Sequence, residues 1–243
     1  MPLPILMYHS VARVEYDPNA LCVPPDRFAQ QLATLRAAGL RGVSVGELLA
    51  ARRRGRGRNL VGLTFDDGYD DFLTTACPIL EDHGFTGTVF VLSGRPGGTN
   101  AWDRAPRLNL LTTAQIREIH ARGIEVGSHG RLHRRLTDLS ESELETEIAG
   151  SRDELADVLG LTPAGFCYPY GAVNADVLRA ACAAGYVYAC AAKVASVSTF
   201  ALRRFFVGAG DHPLRLLLKL GLHSLGLYGR GGRHFPATAP VVG

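Results

Sequence analysis

The 243-residue chain has little cysteine, a single tryptophan and no long apolar run. Its five cysteines (Cys22, Cys77, Cys167, Cys182, Cys190) are odd in number and none stands in a CxxC pair. That disfavours a disulfide framework or a zinc knuckle, and reduced thiols in a cytoplasmic setting are expected. No stretch reaches the roughly 18 apolar residues of a membrane span. The opening MPLPILMYHSV lacks a charged leader and is interrupted by Pro4 and His9, so it does not read as a secretory signal. An excess of one charge is also missing. Against 26 Lys and Arg stand 23 Asp and Glu, a net +3 that is too small to argue for nucleic acid as a partner. With 47% hydrophobic and 20% charged residues, the composition is that of a folded protein with its own core.

What is present is alternation. Apolar, β-branched runs at 5–11, 60–65, 87–92, 124–129, 165–170, 186–191 and 203–208 are separated by helical patterns near 26–38, 69–83, 112–122, 140–159 and 174–184. Gly39, Gly84, Gly123, Gly160 and Gly185 stand just past the helices, and Ser140 with Glu143 has the form of a capping box. Strands alternating with helices imply a parallel sheet, either doubly wound or closed into a barrel, with chemistry at the carboxyl ends of the strands. The stretch 52–58, with five arginines and two glycines, reads as an exposed loop. The leucine-rich segment 213–228 reads as a closing helix or as a helix lying on a membrane surface. One domain is expected over 1–228, followed by a poorly ordered tail over 229–243.

Three strand ends carry polar residues suited to chemistry. In LTFDDGYDD, Asp66 and Asp67 follow an apolar strand at a turn that Gly68 permits. One carboxylate can then hold a metal while its neighbour faces a water; two acids in a turn are otherwise caps. In GSHGRLH, a helical turn would bring His129 and His133 to one face, and two imidazoles with one carboxylate suit zinc with open positions. Alternatively the two are surface histidines beside Arg131, Arg134 and Arg135. The third element, Tyr168-Pro169-Tyr170-Gly171, reads by itself as a strand exit, and His9 as a packed residue ending the first strand.

TFDDG, HxxxH after a strand and YPYG, in this order, resemble the successive motifs of the polysaccharide deacetylase family, carbohydrate esterase family 4, over roughly residues 3–208. The opening MYHSV resembles the branch that contains poly-N-acetylglucosamine deacetylases. The resemblance implies an α/β fold, a distorted (β/α) barrel with fewer than eight strands. It also implies a divalent metal, zinc first, as cofactor, and an N-acetylated sugar or glycan as substrate. By motif, Asp66 resembles the general base, Asp67, His129 and His133 the metal ligands, and His9 the acid that protonates the leaving amine. The backbone N–H of Tyr170 resembles the oxyanion donor, with Pro169 and Gly171 shaping that substrate-binding loop. The implied reaction is water attack on an acetamide, giving acetate and a free amine.

Some positions depart from the family pattern. Gly130 replaces the Ser or Thr that follows the first metal histidine, so a bracing hydroxyl is missing. Cys167 occupies the place of the Arg that contacts the catalytic Asp in many members, which leaves the tuning of Asp66 undetermined. His212 is a second candidate acid. Trp102 is expected either to stack on a sugar face or to anchor its loop. Competing readings are a hydrolase of a non-sugar C–N bond and a non-catalytic carbohydrate-binding barrel.

Overall fold

A computed structural model describes residues 3–192 and 198–224. Its strands are β1 (Ile5–Tyr8), β2 (Arg41–Val43), β3 (Leu60–Phe65), β4 (Thr88–Val91), β5 (Glu125–Ser128), β6 (Gly165–Cys167), β7 (Tyr188–Ala191), β8 (Leu202–Arg203) and β9 (Phe205–Phe206). The helices are α1 (Pro25–Ala37), α2 (Val45–Arg53), α3 (Cys77–Asp82), α4 (Thr113–Ala121), α5 (Glu141–Leu159), α6 (Ala175–Ala183) and α7 (Pro213–Ser224). The strands run in the order β8-β7-β6-β5-β4-β3-β1-β9, every pair parallel, and β2 pairs with β3 as well. Because β8 and β9 are halves of one segment divided at Arg204, the path closes on itself. One half pairs with β7 and the other with β1, so the eight strands of this path, β2 lying off it, make seven staves of a nearly closed, distorted (β/α) barrel.

The strands read as continuous apolar runs because both faces are covered: β1, β3, β4 and β7 are buried at every position. The helices pack outside through one apolar face each, such as Phe28, Leu32 and Leu35 of α1. Inside, Phe90 and Tyr188 fill the barrel, and a Cβ on Gly127 would come 2.6 Å from the Phe90 ring, which requires the glycine there.

Several boundaries differ from the sequence expectation. The helix expected over 69–83 opens with a π turn at Phe72–Ala76, where Cys77 N–H reaches back five residues to the Phe72 carbonyl. Pro78 has no N–H for the turn before it, and the backbone widens there. The arginine stretch is only partly a loop, since Arg52 and Arg53 complete α2. That helix closes the amino-terminal end of the barrel, with Val45 N–H donating to Thr88 Oγ1 at 2.9 Å and Gly46 N–H to Glu125 Oε2 at 2.9 Å. Helix α7 packs on α1 with Leu216 fully buried, while Leu214 and Leu218 face outward. The rest of 213–228 and the expected tail over 229–243 lie outside the described residues. No described helix is long and apolar enough to cross a membrane.

Candidate active site

At the carboxyl end of β3 the backbone enters the left-handed region twice in succession, at Asp67 (φ 70°) and Gly68 (φ 69°). Aspartate tolerates this conformation better than most residues. A Cβ on Gly68 would approach Val91 Cγ1 to 2.9 Å, so the turn lies tightly on β4. The consequence is that the two adjacent carboxylates face different partners. Both are buried.

Asp67 Oδ1 lies 3.3 Å from His129 Nε2 and 3.3 Å from His133 Nε2. His129 follows β5, and its Nδ1 sits 2.8 Å from the Cys167 carbonyl oxygen. A carbonyl only accepts, so Nδ1 carries a proton and Nε2 is the atom left facing Asp67. Burial opposes ionisation of Asp67, but the hydrogen bonds from the two imidazoles outweigh it and hold the carboxyl well below the usual range. Burial also lowers the His133 pKa, which favours the neutral, ligating form. Donor atoms of Asp67, His129 and His133 lie within 4.8 Å of one another, and an N₂O set with open positions fits a divalent transition metal. A second grouping, Asp66 with His129 and Cys167, is equally close. It fits less well, because Arg204 holds both Asp66 oxygens and burial raises the Cys167 thiol pKa.

His129 and His133 meet without the helical turn expected from their spacing. Gly130 (φ 81°) and His133 (φ 61°) are both left-handed, and the segment is a loop. It is braced by Glu147 from α5, whose buried Oε2 accepts from Arg131 N–H at 3.0 Å and Leu132 N–H at 3.1 Å. Ser128 Oγ accepts from Gly130 N–H at 3.0 Å. A Cβ on Gly130 would lie 3.2 Å from Glu147 Oε2, so the carboxylate stands where a larger side chain would go. The expected loss of a bracing hydroxyl is thus compensated from α5. A glutamate within the buried Leu144, Ile148 and Leu155 face was the available signal.

Asp66 faces the barrel interior. Arg204 donates from Nη1 to Oδ1 at 2.6 Å and from Nη2 to Oδ2 at 2.8 Å, a bidentate pair, and also from Nη1 to Thr64 Oγ1 at 3.0 Å. Burial pushes the Asp66 pKa up, and the guanidinium more than offsets it, keeping the group ionised below its ordinary value. Arg204 was not singled out in the sequence, yet an arginine pair inside the apolar run 203–208 marks the break between β8 and β9. It supplies from the last stave what Cys167 does not. Cys167 Sγ lies 3.0 Å from Arg204 Nη2 and 3.6 Å from Asp66 Oδ2, as a neighbour within the same cluster.

His9, at the end of β1, brings Nε2 to 3.9 Å from Asp66 Oδ2, with its side chain 11% exposed. Burial lowers its pKa, partly offset by Asp66. Asp71 fixes this strand end by accepting from Ser10 Oγ at 2.7 Å and Val11 N–H at 2.8 Å. His212 is elsewhere, exposed, with Nδ1 2.9 Å from Arg27 Nη1. At the mouth, His133 lies between two aromatic rings. Trp102 stacks on it at 4.4 Å and 23°, and Tyr170 meets it edge-on at 4.5 Å. Trp102 therefore anchors its loop on a candidate ligand. Pro169 is buried, and Tyr170 (φ 59°) and Gly171 (φ 64°) turn the chain sharply back after it.

Comparison with known proteins agrees with this arrangement. The family model for polysaccharide deacetylase matches residues 53–189, which include the DDG turn, both histidines and the Pro169 turn. YxkH of Bacillus subtilis is 30% identical over 186 residues, covering 76% of this chain and 62% of that protein. A poly-beta-1,6-N-acetyl-D-glucosamine N-deacetylase of Staphylococcus epidermidis is 26% identical over 168 residues, covering 65% of this chain and 57% of that protein. The chain thus spans about three fifths of the length of these curated relatives. Among solved structures, the Streptococcus pyogenes deacetylase PplD in complex with acetate superposes with a TM-score of 0.78 at 28% identity, over 90% of this chain and 97% of that one. With the sequence match extending over more than half of its length and the barrel shared, the chain belongs to the polysaccharide deacetylase family.

Proposed function

We propose that this protein is a metal-dependent hydrolase that removes the acetyl group from an N-acetylated amino sugar or glycan. The observation that carries the reading is the division of labour at one turn. Asp67 meets two imidazole nitrogens at 3.3 Å, while adjacent Asp66 is held ionised by Arg204. The names of the relatives, an N-deacetylase among them, and the acetate held by PplD support the same class of reaction.

Asp67, His129 and His133 would hold the ion, zinc by the preference of imidazole and carboxylate. When bound there, a divalent ion supplies Lewis-acid polarisation of the acetyl oxygen and acidifies a water. Asp66, ionised and fixed in orientation by Arg204, accepts the proton of the attacking water. The same arginine lowers the basicity of Asp66, so it contributes by orientation and charge state. His9 Nε2, on the Asp66 side of the site, donates a proton to the departing amine nitrogen. The turn at Tyr170 presents its backbone N–H to the developing oxyanion. Trp102 and the Pro169–Gly171 turn form the wall against which the sugar lies.

The proposal extends to peripheral contact with a membrane through α7, on the ground that Leu214 and Leu218 are 83% and 61% exposed. Liposome flotation of the wild type against Leu214→Glu with Leu218→Glu tests it; Leu216 is unsuitable because it is buried in the core. Cytoplasmic placement, supported by free cysteines throughout the described residues, is checked by cell fractionation. The activity itself is tested by mass spectrometry of zinc-loaded protein with acetylated sugars and glycolipids. Loss of one acetyl group with release of acetate is expected, and cleavage of simple amides with no acetylated sugar consumed would overturn the reading.

A further inference from the structure

Five planar groups stand in series across the mouth of the site. Arg95 Cζ lies 5.9 Å over the Trp102 ring, Trp102 stacks on His133 at 4.4 Å, Tyr170 meets His133 at 4.5 Å, and Arg135 Cζ lies 5.0 Å over Tyr170. The candidate ligand is therefore flanked on both sides by an aromatic ring that carries a guanidinium. Cation–π contact accounts for where the two arginines rest. It uses the face of the guanidinium and leaves the N–H edge to find other partners.

Those partners are missing among the described residues. Arg131 and Arg134, in the same loop as Arg135, are matched by acids of α5, with Arg131 2.7 Å from Glu154 and Arg134 2.9 Å from Glu143. Arg135 is exposed and has no carboxylate partner. Arg95 likewise has none, and its Nε is buried without a hydrogen bond. The nearby acid of the Trp102 loop, Asp103, accepts from Asn19 Nδ2 at 3.1 Å, and its carboxyl is pushed up to about 6, first by burial and then by Asp67. It does not neutralise either stacked arginine.

From this stack we infer that the mouth takes a glycan bearing anionic substituents, a carboxylate or a phosphate, each gripped by the N–H edge of one guanidinium, Arg135 at one end of the series or Arg95 at the other. Both anions match the planar fork of a guanidinium with two parallel hydrogen bonds. The inference rests on the deacetylase reading for its placement of substrate at this mouth, and it adds the class of glycan.

The test is calorimetric titration of the zinc-loaded protein at low salt with three N-acetylglucosamine oligomers of equal length: neutral, carrying a lactyl carboxylate, and carrying a phosphate. At least one anionic oligomer should bind about tenfold more tightly than the neutral one, the two anionic arms showing which source is preferred, and the difference should shrink at high salt. Arg135→Gln keeps a planar group over Tyr170 without the charge and should bring the preference to within about twofold; Arg135→Lys, which keeps the charge, should restore part of it. A role in stacking alone would give the opposite order. Equal binding of all three oligomers, no binding of any, or an undiminished preference in Arg95→Gln with Arg135→Gln overturns the inference. Acetate measured in the same samples separates the two readings. Tight anionic binding without acetate removes the deacetylase assignment and leaves this inference standing, whereas acetate from all three at equal KM does the reverse.

Discussion

Arg204 and Asp66 are 138 positions apart in the chain and meet through two hydrogen bonds of 2.6 and 2.8 Å inside the barrel. The break between β8 and β9 aims the arginine inward, so closure of the barrel and charge of the site depend on one residue. Removing it leaves an uncompensated buried carboxylate. Arg204→Met should cost about 3–5 kcal/mol of stability, read from urea midpoints, because breaking a buried pair exposes the desolvation cost of the survivor.

The same pair sets a pH dependence. The Asp66 pKa is held below its ordinary value in the folded protein, so its contribution to stability is present above the ordinary aspartate pKa and is lost as pH falls through the depressed one. In Arg204→Gln, the strongest influence opposing burial is gone and the pKa rises. The acid limb of the kcat/KM profile should then move to higher pH, with kcat down by about 10²-fold or more. A limb that stays in place would remove Asp66 as the titrating base.

Metal binding and turnover should separate at the DDG turn. Asp66→Asn should retain the ion and lose turnover, whereas His133→Ala should lose both. Trp102→Ala removes the stacked support of His133 and should weaken metal affinity by about 10–100-fold, the range for groups that orient a ligand. Equilibrium dialysis with elemental analysis measures each.

Glu147 supports the histidine loop from α5. Glu147→Ala leaves Arg131 and Leu132 N–H without their acceptor and should destabilise the protein by about 1–3 kcal/mol. The larger effect is expected on metal affinity, since His133 follows directly. Glu147→Gln, which keeps one acceptor oxygen, should recover part of both.

Asp71 gives an independent check away from the metal ligands. Burial raises its carboxyl to about 6 despite two donated hydrogen bonds. A raised acid binds more protons folded than unfolded, so its contribution to stability is present below the unfolded pKa and fades as pH rises through about 6. Asp71→Asn should flatten that part of the stability profile, by about 3 kcal/mol at most.

The barrel was legible because its strands are buried on both faces and its helices on one, which writes two periods into the chain. The ends of α5 were legible from Ser140, Glu143 and Gly160, all local signals. Helix α2 went unread although Ser44 and Glu47 have capping spacing and Glu47 N–H does donate to Ser44 Oγ, because the arginines that follow read as a loop. HxxxH suggested a helix, and the glycine inside it was the sign of a loop instead. Arg204 could not be placed from the sequence because its role exists only across the barrel, between residues that no local pattern connects, whereas Glu147 left one local trace, an acid on the apolar face of α5.

The central claim is that one divalent ion is shared by Asp67, His129 and His133 while Asp66 stays outside its coordination. Anomalous diffraction at the zinc edge from zinc-loaded crystals tests it most directly. A single peak within about 2.0–2.2 Å of an Asp67 oxygen and of Nε2 of both histidines is predicted. A peak between Asp66 and Cys167, or none in protein that releases acetate at full rate, would contradict the account.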